Sequence, residues 1–493
     1  MKKVIFYYFR SLFSQSACSF SVGKASKYLL DNGYSTEIRL LHTDDYAVNM
    51  RAFEGVDEYD IIVYKANYKD FNYGIELFRA IKNRYPNKTL YITGPFCVLN
   101  QDRIVEKYNF VDKVINIQTT CHISETFPTL EGGAIHKDTV IAETDRQVEA
   151  TEQGTYVNLE SSSGCVNRCN FCHIYLTKTP FVNKPMDVVV DEIEELHNKL
   201  SKNYFIFNDS IFYKGTVDEE RILTFCDLIK KKGLKIYFYV YLALFPQIPE
   251  HLLDKLKEVG LVRVFFGIES ITPELQISNK KNVSEDTANK FLNMLTSKGI
   301  SYHIGFMLFY PEITLDSLKV NIKYLYDIKK LFRVGIIIEK MRIIPNSPNV
   351  DQLTFNDLYI DQAYNYHFKN ADVEEAYNKV LDFFGAVDYR MFEQYLTGYN
   401  LAITILRHEG KEDKYKEYFD NYYKAVDKVN NFVYNNLLEV INGKSVTAEQ
   451  KKNLRALQTE LEYNYHYFMN ALKVEDLRVF KMIPIGKEDI NLW

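Results

Sequence analysis

Apolar and polar positions divide the chain into three stretches. Over residues 1–120, apolar runs of strand length alternate with segments whose apolar positions recur at helical spacing. The runs are 3–9 (KVIFYYF), 36–41, 59–64 (YDIIVY), 89–93 and 113–117; the helical segments are 22–32, 73–85 and 103–108. Gly33, Pro86 and the pair Gly94-Pro95 punctuate them as stops. Strictly alternating strands and helices predict a parallel α/β sheet wound on both faces. Ligands of such sheets bind beyond the carboxyl ends of the strands. That directs attention to the loops at 10–21, 65–72 and 94–100.

Residues 121–154 are rich in Thr, Glu and Gly with weak periodicity, and read as a linker. From 155 to 350 alternation resumes. Strands are predicted at the segment beginning near 156 and at 204–208, 235–244, 262–268, 302–308 and 334–344, with helices at 186–199, 219–232, 249–259 and 284–298. About six βα units predict a partial barrel, whose active site lies at the carboxyl ends of its strands. Beyond 351 the pattern is purely helical, at 373–384, 389–408, 412–441 and 448–472, with a break at Asn442-Gly443 and no proline between Pro348 and Pro484. The stretch 351–493 is expected to form a helical domain that contacts whatever enters the barrel mouth, and the tail from 479 to fold back through Trp493.

Composition narrows the class. With 46% hydrophobic and 25% charged residues, the 493-residue chain is that of a water-soluble globular protein of several domains. A net charge of −5 gives no reason to expect nucleic acid as a partner. No apolar stretch approaches the roughly 18 residues of a membrane span, and because the start Met1-Lys2-Lys3 leads straight into a strand-like run, no signal peptide is expected. Seven cysteines, three of them clustered, suit a reducing cytoplasm better than a disulfide framework.

The three are Cys165, Cys169 and Cys172, within Gly164-Cys165-Val166-Asn167-Arg168-Cys169-Asn170-Phe171-Cys172. Chance would produce such a triple with an expectation of roughly one in a thousand. Three thiolates on one loop can hold three corners of a cubane [4Fe-4S] cluster and leave one iron open. A structural zinc site needs a fourth protein ligand. His173 could supply it, so zinc remains the alternative.

The spacing C-x3-C-x2-C with Phe171 before the last cysteine, preceded by the strand-like Val157-Asn158-Leu159-Glu160, resembles the radical S-adenosylmethionine (SAM) superfamily. The resemblance implies a partial (β/α)6 radical SAM barrel with SAM chelating the open iron. It extends to Phe207-Asn208-Asp209-Ser210-Ile211-Phe212, Gly267-Ile268-Glu269-Ser270, Asn279-Lys280-Lys281 and Gly305-Phe306-Met307-Leu308. By that resemblance Phe171, Asp209, Glu269, Lys280, Phe306 and Met307 are expected around SAM or substrate. Residue types alone also allow a turn aspartate, a surface lysine and core packing at Asp209, Lys280, Phe306 and Met307. The segment Phe309-Tyr310-Pro311-Glu312-Ile313-Thr314 departs from the family's G-F-P-G-E-T, and the strand at 237–244 ends without the Arg or Ser that relatives use on the SAM carboxylate.

The first 120 residues resemble the flavodoxin/Rossmann-like cobalamin-binding domain that precedes the barrel in one radical SAM subfamily. Thr93-Gly94-Pro95 stands where that subfamily has Gly-Gly-Pro, so Thr93 and Gly94 are expected at the corrinoid. The D-x-H-x-x-G cobalt-ligand signature is absent, as it is in those relatives. Together the resemblances imply a [4Fe-4S] cluster, SAM and cobalamin, an electron donor such as flavodoxin or ferredoxin, and methylation of an unactivated carbon on a small molecule or peptide. Rearrangement, coupling or epimerisation is the rival within the class; a non-catalytic metal protein is the rival outside it. An epimerase would need a spare thiol at the barrel mouth, and only Cys18, Cys97, Cys121 and Cys226 remain.

Overall fold

A computed structural model describes residues 2–10, 20–42, 51–66, 70–130, 157–281, 283–343, 366–480 and 482–483. In the first unit, strands β1 (Lys3–Arg10), β2 (Ser35–His42), β3 (Ile61–Lys65), β4 (Thr89–Thr93) and β5 (Lys113–Ile115) form one sheet in the order β2-β1-β3-β4-β5. Every pair is parallel. The order reverses between β1 and β3, which places the ligand crevice above that junction. Both faces are covered. Ile5, Tyr7 and Phe9 pack with Ile75, Phe78 and Ile81 of the helix Phe71–Arg84. Val4 and Phe6 pack with Val22, Ala25 and Leu29 of the helix Phe20–Asp31. Double-sided burial explains why these strands read as unbroken apolar runs.

The unit runs past residue 120. Instead of linker, Thr120–Thr126 is a helix whose Thr119 side chain accepts from the His122 N–H, and Ile123 and Phe127 join Val4 and Phe6 in the core. The Thr-rich start of this segment supplies an N-cap. The rest of the expected linker, 131–154, lies outside the described residues.

The second sheet contains β6 (Val157–Leu159), β9 (Tyr204–Phe207), β10 (Tyr237–Leu242), β11 (Leu261–Glu269) and β12 (Ser301–Phe306), in the order β12-β11-β10-β9-β6 and parallel throughout. Two short antiparallel strands, β7 (Ser162–Ser163) and β8 (Val182–Asn183), bracket the cysteine loop. The expected sixth strand at 334–344 does not form. Val334–Ile338 is a helix, and among the described residues of this stretch Lys340 makes one isolated parallel bridge to Phe309, beyond the end of β12. The apolar run suggested a strand, but the Glu393 carboxylate accepts the Gly335 N–H at 2.5 Å and anchors a helix start. Residues 344–350 of that prediction are outside the described set.

The C-terminal helices are Ala371–Phe384, Tyr389–His408, Lys416–Ile441, Ala448–Glu475 and Leu477–Phe480. They share one continuous core with the barrel. The helix Tyr389–His408 closes the floor, against the amino ends of the strands. Arg263, early in β11, donates to the Thr397 carbonyl at 3.1 Å, and Tyr237, which opens β10, bonds Glu409. That helix lies opposite the mouth, whereas Ala371–Phe384 reaches the carboxyl side, its Tyr377 hydroxyl donating to the Ile338 carbonyl and its ring centre 4.8 Å from that of Phe309. Nearer the carboxyl ends are Tyr366, whose hydroxyl donates to the Phe309 carbonyl, and Asn370, which donates to the carbonyl of Ile313. Val479 and Ile483 are buried in the shared core; Trp493 is outside the described residues. Among the described residues no helix is long and apolar enough to cross a membrane.

Candidate active site

The cysteine loop leaves the carboxyl end of β6 and is cinched by the β7–β8 pair. Gly164 opens it at φ +73°, and a β-carbon there would stand 2.3 Å from the Pro180 carbonyl oxygen. Only glycine permits both that backbone and that approach. Cys165, Cys169 and Cys172 are half-buried. The Cys172 N–H donates to the Cys169 carbonyl, and the Asn167 N–H to the Cys165 sulfur at 3.4 Å. Burial pushes all three thiols up, Cys169 to about 11, and their charges oppose one another's ionisation. A bound cation relieves that opposition. The donor chemistry thus fits an iron–sulfur cluster, although among the described residues no three His, Cys, Asp or Glu side chains close on a common point as metal ligands. His173 is exposed at the start of the helix His173–Leu176. Cys97 and Cys226 are buried away from the loop, and Cys121 is exposed.

Asp209 does not project into the mouth. It is fully buried and accepts from the N–H groups of Ser161 (2.6 Å) and Ser162 (3.0 Å) and from the Ser161 hydroxyl. Arg221 donates to the same hydroxyl at 3.0 Å and to the Phe212 carbonyl. Asp209 is the turn aspartate, and its work is to hold the segment leading into the cysteine loop. Burial pushes its carboxyl up to about 6 against the lowering effect of these donors.

Glu269 and a lysine meet at the end of β11, but the lysine is Lys281. Its Nζ lies 2.6 Å from Glu269 Oε1 and 3.2 Å from the Gly267 carbonyl oxygen, while Lys280 is exposed. The left-handed backbone at Lys280 (φ 53°) turns the following residue inward. Two adjacent lysines carry no sequence signal to separate them. Glu269 is itself left-handed (φ 67°) at a bulge where the β11–β12 register shifts, and its carbonyl accepts from the Met307 N–H at 2.7 Å. Phe171 is half-buried, with Lys281 Nζ 5.8 Å from its ring centre. Phe306 faces away, buried and stacked on Tyr324, and Met307 is half-buried against the core.

Asn279 and Asn170 were not among the expected contacts. Asn170 donates to the Ser278 carbonyl at 2.7 Å, leaving its Oδ1 without a partner; Asn279 is buried with neither amide atom paired. Unpaired buried amides cost free energy, so three such atoms beside the cysteine loop fit a polar ligand such as SAM.

At the sheet crevice, Thr93 ends β4 with its buried Oγ1 unpaired. Gly94 follows at φ +117°, where a β-carbon would stand 2.2 Å from the Ala66 carbonyl oxygen. This closely packed lip suits a bound molecule with polar edges, as a corrinoid has. The first unit grips both ends of the cysteine loop. Lys24 pairs with Glu160 at 2.6 Å, and the Gln118 side-chain oxygen accepts from Thr177 and Thr179.

Comparison with known proteins agrees with this geometry. Residues 159–325 match the Radical SAM superfamily. Curated relatives include tRNA-2-methylthio-N(6)-dimethylallyladenosine synthases. The Shewanella woodyi protein is 25% identical over 160 residues, 31% of this chain and 33% of that one. The Alteromonas mediterranea protein is 26% identical over 213 residues, 40% and 44%. The chain thus spans about a third of the length of the first such relatives. Among solved structures, the cobalamin-dependent S-adenosylmethionine radical enzyme OxsB with aqua-cobalamin bound superposes with a TM-score of 0.64 at 14% identity, covering 98% of this chain and 83% of that one. The radical S-adenosylmethionine methyltransferase TsrM from Kitasatospora setae gives 0.53 at 14%, covering 71% and 77%. The chain carries a radical SAM domain at residues 159–325 and shares the overall fold of OxsB.

Proposed function

We propose that the protein is a cobalamin-dependent radical SAM enzyme that methylates an unactivated carbon of a small molecule or peptide. The observation that carries this reading is the cysteine loop, held at the carboxyl end of β6 and tied at both ends to the unit bearing the Thr93-Gly94 crevice. Cys165, Cys169 and Cys172 would hold a [4Fe-4S] cluster, Asn170, Asn279 and Glu269 would offer polar contacts to SAM, and Thr93 with Gly94 would line the corrinoid site. When bound, these cofactors supply a 5′-deoxyadenosyl radical that removes a substrate hydrogen atom and a methyl group that replaces it. The protein positions and shields. The Asp209–Ser161–Arg221 network fixes the loop, and the floor helix leaves approach to the carboxyl ends of the strands. Residues 366–370, bonded to the turn after β12, are the part of the C-terminal region assigned to substrate specificity. A cytoplasmic reductant of the flavodoxin or ferredoxin type supplies the electron.

The support from OxsB and TsrM is that both structures hold cobalamin, and that TsrM is a methyltransferase with a [4Fe-4S] cluster bound. The test is anaerobic reconstitution with iron, sulfide and hydroxocobalamin, followed by SAM turnover. A corrin absorption band and 5′-deoxyadenosine are expected from the native protein, and Cys169→Ala should lose iron and SAM cleavage together. Full iron and SAM cleavage in that variant would overturn the ligand assignment. A product of unchanged mass would select rearrangement over methylation.

A further inference from the structure

The Glu269–Lys281 pair is expensive to build and has no evident structural purpose. It requires a non-glycine residue in left-handed backbone, a register shift in β11, and a glycine at 267, where a β-carbon would stand 1.9 Å from Glu269 Oε1 and 2.6 Å from Lys281 Nζ. Buried ion pairs rarely repay their desolvation in stability. This one is largely enclosed, its side chains 18% and 12% exposed. It lies against the cysteine loop rather than on a distant surface. Lys281 Nζ lies 5.8 Å from the ring centre of Phe171, which stands between Cys169 and Cys172 in sequence, while it pairs with Glu269 Oε1 at 2.6 Å.

We propose that Lys281 is a charge-setting residue for the cluster. Its ammonium, held in place by Glu269 and the Gly267 carbonyl, makes one-electron reduction of the cluster easier. The inference rests on the cluster reading above. Reduction adds an electron to a site already surrounded by three thiolates. Cluster potentials follow the net charge, hydrogen bonding and exposure of the surroundings, and an enclosed cation is poorly screened by salt. The electron comes from an external donor, and no bond forms or breaks. Glu269 opposes the ammonium, so the two side chains set the potential in contrary directions.

The test uses full-length protein reconstituted with iron and sulfide, without SAM, and titrated with dithionite and mediators while the reduced cluster is followed by electron paramagnetic resonance. Iron and sulfide per chain are measured on each sample. At fixed potential, Lys281→Gln should hold about tenfold less reduced cluster, a fall of about 59 mV for one electron. Lys281→Arg should stay near the native value, and Glu269→Gln should move the other way. A purely structural pair would lower cluster loading in both neutral variants and move their potentials in one direction or not at all. Unchanged potentials, or shifts of the same sign, in fully loaded protein would overturn the role of Lys281 alone. Native protein that takes up no iron would overturn the cluster reading beneath it.

Discussion

Lys24 of the first unit and Glu160 at the end of β6 form an ion pair across the boundary between the sheet and the barrel, 2.6 Å apart and largely enclosed. Lys24 also donates to the Gln118 carbonyl at 3.2 Å, while the Gln118 side chain bonds Thr177 and Thr179 beyond the cysteines. One polar network thus sets the distance between crevice and loop. Lys24→Met should leave iron and corrinoid uptake intact and reduce product formation about a hundredfold, the scale of an ångström-sized misplacement. Single-turnover assays on fully loaded protein check this.

Asp209 should make stability depend on pH. Its folded carboxyl titrates at about 6, above the ordinary 3.8, because burial outweighs its donors. Folding therefore favours the protonated acid. The contribution is complete below about pH 4 and is lost as pH rises through about 6, to the extent of roughly 3 kcal/mol. Urea titrations from pH 4 to 7 should show that slope in the native protein and lose it in Asp209→Asn.

Thr93→Val separates stability from ligand binding. Replacing an unpaired buried hydroxyl by a methyl group should raise the stability of the corrinoid-free protein by about 1 kcal/mol. If the hydroxyl meets the corrinoid, retention of cobalamin should fall about tenfold. Calorimetry and equilibrium dialysis read the two effects independently.

Lys330 sits 4.1 Å from the Tyr302 ring centre and 5.6 Å from that of Phe332. Burial, with Arg333 and Arg263 nearby, lowers its ammonium from 10.5 to about 7. Folding favours the neutral amine, so the penalty is greatest below pH 7 and vanishes as pH rises toward 10.5. Lys330→Met should raise the melting temperature at pH 7, by the equivalent of about 1–3 kcal/mol for a half-buried group, and the gain should shrink at pH 10.

Strands and helices were legible wherever burial is two-sided or strictly periodic. The strand at 89–93 and the helices at 219–232 and 389–408 fall where the apolar spacing places them. The misreadings have local causes. Val334–Ile338 has the composition of a strand but takes its backbone from a distant carboxylate, Glu393, which no local pattern reveals. The cysteine trio and Glu269 stand out through spacing and motif, while Lys281 owes its place to a left-handed turn at Lys280. Asn170, Asn279 and Lys24 were silent because an amide or lysine becomes notable only once its burial and partners are known.

The helix Tyr389–His408 has a practical consequence. Because Arg263 and Tyr237 spend their polar ends on that helix and the following turn, and because barrel and bundle share apolar packing, a chain cut near residue 350 would expose an unsupported underside. Chimeras made to redirect selectivity should therefore exchange the short stretch around 366–370 and keep the plug that belongs to the host barrel.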